Sequence, residues 1–98
     1  MEPTIIDDQA TQRYEARLGD DLAGFLDYYI VGPDRIALIH TEVLPAYRGQ
    51  GIGEALAKFA LDDARGRELH VIVTCRYVRA YVDRHPETHN IIAGWTPA

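Results

Sequence analysis

The chain has 98 residues, 47% of them apolar, and a formal charge of −5. That length suits one domain with a single core, residues 1–98, and the acidity argues against a nucleic-acid partner. No apolar run nears the ~20 residues that cross a bilayer, and the N-terminus lacks a signal peptide's basic start. The single cysteine excludes an internal disulfide and a multi-cysteine zinc site. The expectation is a cytoplasmic protein with no membrane attachment.

Residues 13–18 alternate Tyr14, Ala16 and Leu18 with charged neighbours, the period of a half-buried strand. After the turn Gly19-Asp20-Asp21, residues 22–31 are rich in aromatic and β-branched types and predict a second strand. Gly32-Pro33-Asp34 turns the chain into a third strand over residues 35–44, which Pro45 ends. Turns this short predict antiparallel neighbours. From Ile52 the apolar positions Leu56, Phe59 and Ala60 follow helical spacing, with Gly66 as the expected stop. Residues 69–75 predict a fourth strand, joined by the helix as a parallel crossover. A second helix over residues 76–84 is expected to bury Tyr77, Val78, Tyr81 and Val82 before His85-Pro86 halts it. The tail through Trp95 either adds a short strand or covers the core. The fold class is therefore α/β with a mixed sheet: an antiparallel meander, a βαβ unit and a C-terminal helix.

Between the third strand and the first helix lies Arg48-Gly49-Gln50-Gly51-Ile52-Gly53. Glycines at alternate positions leave a helix N-terminus bare, where unpaired amides and the positive end of the helix dipole favour an anion such as a pyrophosphate. A dinucleotide fingerprint would need glycine in place of Glu54, and a Walker loop would need a Gly-Lys-Ser/Thr triplet that is absent. Residues 1–44 carry nine acids against three bases, whereas residues 45–98 carry six against seven. The loop thus lies in the less acidic half, beside Arg48, Arg76 and Arg79, and the acidic half would suit a cationic or amine substrate.

The pattern R/Q-x-x-G-x-G/A, with Arg48, Gly51 and Gly53 in register, resembles the acyl-CoA loop of the GNAT superfamily of N-acetyltransferases. The resemblance covers about residues 13–86 and is closest to the short, single-domain group of that superfamily. His40-Thr41-Glu42-Val43 before the loop and Cys75, Tyr77, Tyr81 and His85-Pro86 after the last strand also carry it. It implies a transferase that moves an acetyl group from acetyl-CoA to an amine on a small molecule, peptide or protein. By the resemblance the pyrophosphate would rest on amides from Gly49 through Gln50, Gly51, Ile52 and Gly53 to Glu54. The pantetheine arm would pair with the backbone of Val43 and Leu44, where the third and fourth strands splay. Members of the superfamily usually build the acceptor pocket from N-terminal helices, and here about a dozen residues precede the first predicted strand. The position of a cofactor-contacting Asn corresponds to Tyr77, and that of a thiolate-protonating Tyr falls near Arg84. A CoA-binding module without turnover is the alternative reading.

Acyl transfer to an amine needs a neutral nucleophile, an oxyanion donor and a way to protonate the departing thiolate. The amide of Val43 or Leu44 is the expected oxyanion donor. His40, Glu42 and Leu44 share one face of the third strand, and Thr41 and Val43 the other. His40, an imidazole, is a candidate base; Glu42 is a carboxylate alternative. Cys75, ending the fourth strand, is expected close to His40 and is a candidate nucleophile that would relay the acetyl group. His70, His85 and His89 show no convincing ligand spacing, and no metal is expected.

Overall fold

The computed structural model describes residues 2–95. The chain runs β1 (Thr4–Asp8), β2 (Arg13–Leu18), β3 (Asp21–Val31), β4 (Arg35–Val43), α1 (Ile52–Gly66), β5 (His70–Val73) and α2 (Arg76–Arg84). Short 3-10 helices occupy Pro45–Tyr47 and Pro86–Ile91. The strands form one sheet in sequence order, antiparallel from β1 to β4 and parallel between β4 and β5. This is the mixed α/β architecture that the sequence predicts, with one strand more.

The additional strand is β1. Its residues Thr-Ile-Ile-Asp-Asp place the two apolar side chains next to each other, so no alternation marks it. Pairing supplies what propensity does not: Thr4 to Asp8 lie opposite Arg17 to Arg13 of β2. The Tyr28 hydroxyl donates to Asp7 at 2.6 Å, and that of Tyr14 to Asp63 of α1 at 2.7 Å. Arg67 lies 3.8 Å from Asp7 and 3.3 Å from Asp63, tying the sheet edge to the end of α1. Burial, reinforced by these carboxylate partners, pushes both tyrosines well above the ordinary phenol range.

Cross-strand register puts Tyr14, Leu26, Tyr28 and Leu38 on one face, all buried. Helix α1 lies across this face and adds Leu56, Ala60, Leu61 and Ala64 to the core. The other face presents Arg13, Asp27 and His40 in one cross-strand row and Glu15, Phe25 and Glu42 in the next. Among the described residues no helix covers that second face. The helices meet the sequence expectation with two adjustments. Gly66 remains helical, and the left-handed residue beyond the helix end is Glu68, at φ 58°. Tyr77 is half exposed instead of buried with Val78, Tyr81 and Val82.

Two features shape β4. His40 lies opposite Asp27 and Leu38 opposite Tyr28, so Ile39 is an extra residue, a β-bulge. Because of it, Leu38 and Thr41 both turn inward though three positions apart. The parallel ladder with β5 runs only from Arg35–His70 to Leu38–Val73. There the Thr74 amide and hydroxyl both donate to the Leu38 carbonyl, at 3.2 and 3.1 Å, and the strands part. The predicted strand over residues 69–75 is shortened accordingly. The tail adds a single parallel bridge, Val71 to Ile92, and Trp95 stacks on His89 with ring centroids 4.0 Å apart. Among the described residues no helix is long and apolar enough to cross a membrane.

Candidate functional site

The glycine loop sits where the open half of β4 ends and α1 begins. Gly49 and Gly51 have φ of 80° and 78°, a left-handed backbone that side chains resist, and this reverses the chain tightly into the helix. Gly51 is the N-cap of α1, and no side chain caps the helix. The first intrahelical bond runs from the Ala55 amide to the Gly51 carbonyl at 3.0 Å. The first-turn amides before Ala55 therefore have no intrahelical acceptor. Arg48 anchors the loop by donating its Nε to the Val43 carbonyl at 3.2 Å.

An open cleft of about 350 Å³ adjoins this helix start, lined among others by Val43, Arg48, Gly53, Glu54, Tyr77 and Arg84. Guanidinium groups on two sides and a bare helix N-terminus suit a polyanion. The Glu54 carboxylate in the first turn works against it. Gln50 is exposed and faces a neighbouring hollow with Ala55 and Phe59 on the other side of the loop. The residues present thus fit a phosphate-bearing ligand at one end of the cleft. Val43, at the end of β4 beyond its pairing with β5, lines the same cleft.

The two expected backbone partners on β4 are not equivalent. The Leu44 amide donates to the Ala23 carbonyl of β3 at 2.9 Å and is taken up by the sheet. Successive residues of an antiparallel strand point their polar groups to opposite sides. Val43 therefore directs its amide away from β3, as its carbonyl bond to Arg48 also indicates.

The structure separates the predicted catalytic pair. Cys75 is buried, and its Sγ lies 3.1 Å from the Thr41 Oγ1, so it belongs to the inward face of β4. His40 is exposed on the outward face, with the Phe25 ring 6.3 Å away. The expected closeness of Cys75 to His40 is thus corrected: parallel pairing ends at Leu38, and alternation turns the histidine away from the thiol. Glu42 shares the outward face with His40 and is exposed. Thr41, overlooked in the sequence, is marked only by its inward position beside two outward polar residues. Tyr81 also lines the cleft. Among the described residues no cluster of His, Cys, Asp or Glu is arranged to hold a metal.

A forked parallel pair of strands beside a glycine-rich, uncapped helix start defines an N-acetyltransferase type of fold. The chain belongs to the family described as GCN5-related N-acetyl-transferase, whose sequence model matches residues 13–91. Protein NATD1 of mouse is 40% identical over 80 residues, covering 81% of this chain and 73% of that protein. Protein NATD1 of human is 40% identical over 80 residues, covering 81% and 71%. Among solved structures, a GCN5-like protein from Staphylococcus aureus superposes with a TM-score of 0.71 at 20% identity, covering 95% of this chain and 90% of the other. The ribosomal-protein-alanine N-acetyltransferase from Brucella melitensis biovar Abortus 2308 gives 0.60 at 23% identity, covering 88% and 65%. Family and fold are those of acetyltransferases.

Proposed function

We propose that the protein transfers an acetyl group from acetyl-CoA to an amine. The observation that carries this reading is that one cleft takes in both the uncapped start of α1 and Val43, whose amide points away from β3. The loop amides, Arg48 and Arg84 would hold the phosphates of the cosubstrate. The Val43 amide would face the thioester oxygen and stabilise the charge that develops there. His40, exposed on the outward face, would remove the proton from an incoming ammonium, with Glu42 beside it on the same face. Cys75 is the alternative acceptor: its thiolate would attack the thioester carbonyl, releasing the CoA thiolate, and the cysteine thioester would then pass the acetyl group to the amine.

A CoA-binding module without turnover is the second reading. The half-exposed Tyr77 and Arg84, where the family resemblance would put Asn and Tyr, favour it. Calorimetric titration with acetyl-CoA, using free CoA and ADP as controls, tests the cosubstrate. Dissociation constants below about 1 mM for both CoA species, with ADP weaker, are expected; absence of binding by any of them sinks both readings. Acetyl release across a panel of amines, compared with His40→Ala, then separates enzyme from module. Release that is lost in His40→Ala supports the enzyme, and none above background supports the module.

A further inference from the structure

Gly49, Gly51 and Gly53 look alike in the sequence, yet the structure gives them different tasks. Around Gly49 and Gly51 a Cβ would meet nothing within 4 Å, and their positive φ accounts for them. Gly53 has ordinary helical geometry. A Cβ there would fall 2.7 Å from Cε1 and 2.8 Å from Cδ1 of the Tyr77 ring. The family pattern accepts glycine or alanine at this place; here a Cβ would require the Tyr77 ring to shift.

Tyr77 itself departs from its helix. Its neighbours Val78, Tyr81 and Val82 enter the core, while Tyr77 stays 50% exposed with its ring seated on the first turn of α1. It lines the same cleft as Val43, Arg48 and Gly53. A ligand held at the loop amides in this cleft therefore lies beside the ring.

We infer that Tyr77 is a positioning wall of the cleft, against which the thioester-bearing arm lies, and that Gly53 is bare to seat this ring. The inference rests on the acetyl-CoA reading above. Placing a methyl group at residue 53 moves the ring off its seat and into the path of the ligand, although alanine suits a helix better than glycine.

The test is a double-mutant cycle with Gly53→Ala, Tyr77→Ala and both together, read by calorimetry with acetyl-CoA and by thermal unfolding without ligand. Each single variant is expected to weaken acetyl-CoA binding about tenfold, and Gly53→Ala to add less than about twofold once Tyr77 is alanine. Tyr77→Phe, which keeps the ring, is expected to bind within about twofold of the wild type. Without ligand, Gly53→Ala lowers Tm in the wild-type background and raises it in the Tyr77→Ala background, where only the helix preference remains. Equal losses from Gly53→Ala in both backgrounds, with wild-type binding intact, overturn the role of Tyr77. A wild type that binds no acetyl-CoA while the Tm reversal persists overturns the cosubstrate reading and the wall role with it.

Discussion

The two halves of β4 are built for different ends. From Arg35 to Leu38 the strand is held on both sides, by β3 and β5, and its side chains Ile36 and Leu38 are wholly buried. From His40 to Val43 it keeps only β3, and polar His40 and Glu42 face outward. A single inserted residue, Ile39, and the end of the parallel ladder at Leu38 separate a supporting half, paired on both sides, from a half paired only with β3. The difference shows how a strand offers free backbone groups: it stays anchored by one neighbour while the other leaves.

The comparison predicts separable effects. Leu38→Ala strikes the supporting half and is expected to cost about 2–5 kcal/mol in urea unfolding; a loss under about 1 kcal/mol would deny that half its structural role. Deleting Ile39 attacks the boundary. In the shortened strand Leu38 and Thr41 fall at positions i and i+2, so the inward set survives and β4 can continue its ladder with β5. A folded protein with acetyl-CoA affinity reduced about tenfold is expected, and unchanged affinity would show that the bulge does not make the opening.

A smaller effect belongs to the supporting half and its pH response. Tyr14→Phe removes the bond to Asp63 and is expected to cost about 1 kcal/mol near neutrality. The pKa values of Tyr14 and Tyr28 are raised in the fold, chiefly by burial and then by their aspartate partners. Their contribution is therefore full below the ordinary phenol value of about 10, and it falls as pH rises above that value, because the unfolded chain loses these protons first. Stability measured from pH 8 to about 11 should decline more shallowly in Tyr14→Phe. Parallel curves would mean that Tyr14 is not a titrating contributor.

Much of this was legible in the sequence because regular elements write their period into it. Strand β2 alternates, β3 is rich in aromatic and β-branched residues, β4 is bounded by a Gly-Pro turn and Pro45, α1 carries a helical stripe, and the glycines before it mark an open helix start. What was not legible depends on partners distant in the chain. Strand β1 has two adjacent isoleucines and no period, and only pairing with β2 extends it. Tyr77 matches the apolar stripe of α2, but its ring finds Gly53, far away in sequence, instead of the core. The pairing of Cys75 with Thr41 instead of His40 follows from where the ladder with β5 stops. In the candidate site, residues fixed by the backbone of one segment were readable, whereas side-chain partnerships across segments were not.

Thr74 gives the fork a mechanical character. Its amide and hydroxyl converge on one carbonyl, that of Leu38, like a rivet at the crotch of a split beam. Such a fastening would confine any spreading of the two prongs to the span beyond it, leaving the buried strands below Leu38 undisturbed. The width of the opening is then set by a short surface residue outside the core, where it can be adjusted without repacking the interior.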